Sequence, residues 1–532
     1  MRKPFALPRA YITLFLITLI FRIATAFPLE QAGYMDASYT IHVAENLARG
    51  RGLVEDVLWN YLDNPAGLPH PSNLYWMPLP SLLIVPCFAI FGVSYHAAQI
   101  PNIILSSLLP LFAFYLARRI FRRDDYAWAA GLFTTFSGFY TIYWVSPDNF
   151  APFALMASVC LYLIVRGTET ISARYFFFAG ILIAFAHLSR ADGLFLLVVV
   201  PLALFIHQPT HSLKHCSLFT VYCLLGYLLF MSPWFLRNYI AVGTPYPSAG
   251  TKTLWLTNYD ELFRYADDLT WQRYLAWGIN KIIGSKFAAL GQNLLVVAFG
   301  ALQVFLAPFA IIGVWQLRRR IEMLPFLIYS AILFLAMSFV FTFPSTRGSM
   351  LHSSSALLPF LAVAVPLGLD SSIQWIARRR RTWRPAQASL VFRSGFIVLA
   401  IFLSLFLYAQ GVFPINNNSG DIPLWNRRDL EYASIAKWLD QNARTEDKVM
   451  TVDPPSFYNV SHRQAIAIPT DSVAAIFQAA QRYDATYLIL QLDHPAPLNN
   501  LYHERATIPG LERVADFRDG NGKPAMLYKI RP

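Results

Sequence analysis

Charge is what this chain has least of. Of its 532 residues only 14% are charged, against about 25% in an ordinary soluble protein. That shortage excludes a water-soluble globular chain and a disordered one. Cysteine is also scarce: Cys87, Cys160, Cys216 and Cys223 all lie in or beside apolar stretches, which excludes a disulfide scaffold and reads as buried spectators. There is no glycine-rich nucleotide-binding motif, no internal repeat, no low-complexity tract and no cluster with metal-ligand spacing. What is abundant is apolar and aromatic: 56% hydrophobic and 15% Phe, Trp and Tyr, with 34 prolines. The net charge of +12 does not signal nucleic acid, because the basic residues collect at the ends of apolar blocks.

Those blocks predict an α-helical polytopic membrane protein with about eleven spans, near 9–27, 96–117, 126–145, 150–166, 175–189, 193–207, 216–234, 291–317, 324–343, 353–369 and 394–413. The first has no small-x-small cleavage site before Pro28 and reads as an uncleaved span. Arg2, Lys3 and Arg9, then Arg118–Arg123, Arg166 and Arg174, Lys214, Arg318–Arg320 and Arg378–Arg384 all fall on one side under a single alternation. By the positive-inside rule that side is cytoplasmic, in a plasma or inner membrane. The apolar block Met77–Val93 would break the alternation, and Pro78, Pro80 and Pro86 disfavour a regular helix, so it reads as an interfacial or re-entrant piece of a long outer loop, 28–95. Residues 1–413 thus form a membrane domain with juxtamembrane helices on the outer face. Residues 414–532 form a small extracytoplasmic α/β domain, with helices near 429–442 and 471–482 and strands near 449–452, 486–491, 511–517 and 525–530. Asn417-Asn-Ser419 and Asn459-Val-Ser461 match the glycosylation acceptor pattern, and His462, His494 and His503 read as surface residues.

The same alternation collects a few polar residues outside. Asp36 precedes a short amphipathic helix that ends at Gly50 and reads as lying along the membrane surface; Asp148 sits in Ser146-Pro-Asp-Asn149 between two spans. Either carboxylate fits a helix N-cap, a role compatible with catalysis because a cap fixes the group in space. Yet two carboxylates reaching one membrane surface are costly without a task or a partner. Arg190 and Asp192 form a charged pair that either turns the chain or serves a site. Arg237, Arg347 and His352 stand at outer span ends, against the positive-inside bias, and arginine forks match phosphate oxygens.

Tyr34-Met-Asp36, Tyr75-Trp-Met-Pro-Leu-Pro80, Phe91-Gly-Val93 and Ser146-Pro-Asp148, in that order and placement, resemble the GT-C membrane glycosyltransferases. The groups they most resemble are the family 39 type, including protein O-mannosyltransferases, and the lipid A aminoarabinose transferases. The resemblance is best over residues 9–240; the stretches Leu-Ser-Arg-Ala-Asp-Gly193 and Arg237-Asn-Tyr are similar to bacterial members. It implies an inverting transfer of a sugar from a polyprenyl-phosphate carrier to an acceptor glycan, lipid or protein, outside the membrane. Asp36 would be the general base and Asp148 would position acceptor or sugar, while Arg190, Arg237, Arg347 and His352 would receive the donor phosphate. No cofactor is expected, although Asp36 and Asp148 could share a divalent cation. Many mannosyltransferases have Asp-Glu where this chain has Asp36-Ala37, so acceptor and sugar stay open. The competing reading is a transporter or flippase of lipid-linked sugars, which would place ionisable groups at the bilayer midplane rather than at one surface. A membrane-anchored binding protein and a glycan ligase or polymerase are further alternatives.

Overall fold

The computed structural model describes residues 6–207, 213–247, 249–266, 268–380, 383–413, 424–519 and 522–531; the acceptor pattern at Asn417 lies outside them. Eight described helices are long and apolar enough to cross a membrane, among them Tyr95–Phe121, Phe150–Thr170, Lys214–Val242, Thr342–Arg379 and Pro385–Val412. Leucines, isoleucines and phenylalanines on their outer faces, such as Leu225, Leu229, Ile240 and Phe402, are exposed, the surface that lipid would cover. Two helices are central: 78% of the apolar window of Thr342–Arg379 and 72% of that of Phe150–Thr170 are buried, against 17% for Pro385–Val412. Elements buried on all sides have the fewest ways to move, and these two flank the polar cluster described below.

Three of the eleven expected spans form shorter helices: Asp124–Thr135, Ala173–Ser189 and Phe195–His207. The 126–145 block breaks at Phe136–Phe139 and resumes as one turn, Tyr140–Tyr143. Gly138 takes a left-handed φ of 61° there. Side chains from two other helices and one interhelical turn take up the freed backbone groups: Arg22 donates to the Thr135 carbonyl (3.0 Å), Gln303 to the Phe136 carbonyl (2.7 Å), and Ser404 Oγ accepts the Gly138 amide (2.8 Å). The expected 291–317 span is likewise two pieces, Ile279–Ala301 and Ala307–Leu317. The Met77–Val93 block does contain a regular helix, Leu79–Phe91, because Pro80 falls in its first turn where no amide is needed and only Pro86 is interior. Its 13 residues rise about 20 Å, short of the ~30 Å core of a bilayer.

After the last apolar helix comes a six-stranded mixed sheet, in the order Val57–Leu58, Ala465–Ala467, Lys448–Thr451, Ala485–Leu490, Pro524–Ile530, Leu511–Arg518. The first four strands are parallel, and Pro524–Ile530 pairs antiparallel with both Ala485–Leu490 and Leu511–Arg518. Alternation along the strands splits the core. Val449, Tyr487 and Leu527 pack on Tyr432, Ile435 and Leu439 of the helix Leu424–Asn442, while Met450, Leu488 and Tyr528 face Ile476, Ala479 and Tyr483 of Val473–Tyr483. The edge strand Val57–Leu58 belongs to the first loop, so the sheet is built from chain segments about 400 residues apart.

Candidate active site

The helix expected after Asp36 runs Met35–Ala48 and includes it. Its cap is Tyr34, in extended backbone, and Asp36 is the second helical residue with no capping bond, so the N-cap expectation is corrected. The helix does not lie open along a surface either. Ser38, Tyr39, His42, Val43 and Glu45 are buried as it packs between Leu79–Phe91 and Pro454–Ser461. Asp148 also caps nothing: Asn149 precedes Phe150–Thr170, and Asp148 Oδ1 accepts the Asn149 amide instead. Asn102, from the helix Tyr95–Phe121, donates to the carbonyls of Ser146 and Asp148 and fixes this turn.

Both carboxylates meet at one hollow. Asp36, Asp148 and His352 present ligand-type atoms within 4.8 Å of one another, the only such group of His, Cys, Asp and Glu found among the described residues. Burial, followed by the charge of Asp148, pushes the Asp36 carboxyl up to about 8. Burial also raises Asp148, to about 6, against the opposing pull of the Asn149 amide, the Tyr34 hydroxyl and Arg190. Tyr34 donates to Asp148 Oδ2 at 3.0 Å. The His352 ring stacks on Phe150 (centroids 3.9 Å), with Nδ1 2.9 Å from Asn149 Oδ1 and 3.7 Å from Asp148 Oδ2. A carbonyl oxygen can only accept, so Nδ1 carries the hydrogen in this arrangement. A cation held by Nδ1 would have to displace that bond.

Asp36, Arg190, Arg347 and His352 all line a cavity of about 630 Å³. Its walls are otherwise largely aromatic and apolar, including Tyr34, Tyr75, Trp76, Phe195, Tyr259, Phe341 and Trp425. Arg190 pairs with Asp192 (2.9 Å), reaches Asn149 Oδ1 and the Ser349 carbonyl (3.4 Å each) and Ser353 Oγ (3.3 Å), and so ties three segments together at the cavity edge. Arg347 is exposed, stacks over Tyr259 (5.5 Å), and makes no ion pair among the described residues. Arg237 is not brought to this hollow. Its guanidinium donates to the Leu53 carbonyl (2.7 Å) and to Asn238, and lies 5.0 Å from the centre of the Trp234 ring. Of the six residues singled out, five therefore gather and one does not.

Tyr34, Tyr75 and Asn149 stood in the quoted motifs but were given no role, and Tyr259 and Trp425 were not singled out, because a tyrosine or tryptophan is unremarked in a chain with 27 and 13 of them. Asn459, matching the acceptor pattern, donates its side-chain amide to the Ser38 carbonyl (3.0 Å) inside the interface with the helix of Asp36.

No curated protein matches the chain in sequence. A family profile described as dolichyl-phosphate-mannose-protein mannosyltransferase matches residues 70–236, which include Asp148 and Arg190 but not Asp36. The whole chain superposes on ArnT from Cupriavidus metallidurans bound to undecaprenyl phosphate, with a TM-score of 0.61 over 98% of both chains at 13% identity. The apo state of that protein gives the same values. The apo Archaeoglobus fulgidus oligosaccharyltransferase follows with a TM-score of 0.55 at 11% identity, covering 92% of this chain and 70% of its own. Identity this low speaks for the fold alone. The chain has the fold of these two membrane proteins, a GT-C fold like that of ArnT, and its residues 70–236 match the mannosyltransferase profile within it.

Proposed function

We propose that this protein is an inverting glycosyltransferase that moves a sugar from a polyprenyl-phosphate carrier to an acceptor hydroxyl at the outer face of the membrane. The observation that carries the reading is the meeting of Asp36, Asp148, His352, Arg190 and Arg347 around one largely apolar hollow. In the reaction, the acceptor oxygen attacks the anomeric carbon, Asp36 takes its proton, and the carbon–oxygen bond to phosphate breaks with the electron pair leaving on the carrier. One displacement inverts the sugar carbon. A positioned base contributes about 10²–10⁴-fold. Arg190 and Arg347 face the charge that grows on the departing phosphate, where preorganised cations act most strongly. The aromatic wall suits the faces of a sugar ring and the first isoprene units of a carrier. The resemblance of the fold to a protein solved with undecaprenyl phosphate supports this choice of donor. Turnover is proposed to need no metal, in keeping with the His352 Nδ1–H bond to Asn149.

The test uses purified full-length protein and a panel of hexoses and pentoses carried on undecaprenyl phosphate, with release of undecaprenyl phosphate in the presence of acceptor extracts as readout. Asp36→Asn is expected to lose at least about 10²-fold in kcat while staying folded. Turnover retained in Asp36→Asn would remove it as base. Carrier movement across vesicles with no sugar transfer would favour the flippase reading instead.

A further inference from the structure

Trp425 is the one described residue lining the cavity that comes from beyond the last apolar helix. It opens the helix Leu424–Asn442, and the start of that helix grips the loop just before Asp36 at three points. Trp425 Nε1 donates to the Gln31 carbonyl (3.1 Å), Asn426 Nδ2 to the Pro28 carbonyl (3.0 Å), and the Glu30 amide to Asn426 Oδ1 (3.0 Å). The indole fills the space over Gly33, where any Cβ would overlap it and where φ is +74°. It meets the next residue, Tyr34, edge-on at 5.9 Å and 75°. Tyr143 holds the Tyr34 ring in the same manner, at 5.8 Å and 73°. A ring flanked by two others has little rotamer freedom, and this one carries its hydroxyl to Asp148 Oδ2 at 3.0 Å. That bond directly joins the two segments that bear the two carboxylates. A second grip lies one turn along the Asp36 helix, where Ser456 Oγ meets Ser38 Oγ (2.8 Å), and Ser456 Oγ also donates to Asp453 (2.9 Å).

We propose that Tyr34 and Trp425 are positioning residues, through which the C-terminal α/β unit sets the placement of Asp148 against Asp36, so that this unit is part of the catalytic apparatus rather than an appended recognition module. The inference rests on the transferase reading of the site. If the aromatic trio merely packed an interface, phenylalanine would serve at position 34 as well as tyrosine. If the hydroxyl positions Asp148, its loss is felt in the chemical step and not in donor capture, which the cations and apolar wall provide.

The experiment measures kcat and donor KM separately in the release assay, with thermal unfolding of each variant in parallel. Tyr34→Phe is expected to lower kcat about tenfold, the worth of one hydrogen bond to a charged group, with donor KM within twofold and the unfolding temperature unchanged. Trp425→Phe, which keeps a ring but loses the Nε1–H donor, shows the same split at about threefold, in case Trp425→Ala fails to fold. In the double variant Tyr34→Phe/Trp425→Phe, kcat falls no further than in the worse single variant, as expected for residues acting through one another. Unchanged kcat in Tyr34→Phe, or losses that multiply in the double variant, would overturn the inference. Wild-type kcat in Tyr34→Phe together with an inactive Asp36→Asn would overturn it while leaving the transferase reading intact. A wild-type protein that releases no undecaprenyl phosphate from any donor would bring down both.

Discussion

At the scale of single residues, the site is governed by two carboxylates forced together with too few cations in contact. Burial, and then the charge of Asp148, push Asp36 up to about 8, which favours its protonated form. A base must first lose that proton. The rate should therefore fall about tenfold per pH unit below 8 and level off above it, and the limb should not move on adding EDTA if no cation shares the pair. A pH–kcat/KM profile with and without chelator checks both points. The cations divide differently from what their sequence positions suggest. Arg347→Ala is expected to raise donor KM about 10- to 100-fold, as loss of a charge-assisted bond to phosphate would. Arg237→Ala should leave donor KM alone and lower the unfolding temperature, because Arg237 is spent on the Leu53 carbonyl. Topology made Asp36, Asp148, Arg190, Arg347 and His352 legible, since a charge at an outer span end is conspicuous in so apolar a chain. It could not separate Arg237 from the rest, because facing one side of a membrane does not fix which way a guanidinium turns.

At the scale of elements, the long helices were readable from apolar length, and the strands of the C-terminal unit from alternation, with the exception of Ala465–Ala467 and the edge Val57–Leu58, too short to show a period. The breaks were not readable. The interruption at Phe136–Phe139 depends on Arg22, Gln303 and Ser404, side chains more than 110 residues away along the chain in every case. Close helix packing was equally hidden. Ala173–Ser189 and Leu213–Val242 approach so nearly that a Cβ on Gly180 would overlap the Cys223 carbonyl, and one on Gly226 the Phe177 carbonyl. Backbone cannot swing aside as a flexible side chain can, so small residues are required at such a crossing. Gly180→Ala should cost about 1–3 kcal/mol in detergent unfolding experiments. Gly284→Ala, at a helical glycine with nothing within 4 Å, serves as the control and should be neutral or gain up to about 1 kcal/mol.

At the scale of the whole molecule, the cavity has walls from the first loop, from the segments around residues 149, 190, 254 and 347, and from Trp425. The division into an apolar part and a polar tail was plain from composition. Less visible was that the tail borrows Val57–Leu58 for its sheet and lends Trp425 and Ser456 to the loop it covers. Pattern reading treats each segment by its own periodicity, and an exchange of this kind leaves no mark on either.

The position of Trp425 so late in the chain also has a consequence in time. Translation runs from the N-terminus, so the helices through Val412 can be threaded into the bilayer before the indole that roofs the hollow has been made. A half-synthesised copy would own both acids and the basic side chains but not the indole that presses on Tyr34, so the two acids would take their final placement only once the last stretch had folded down.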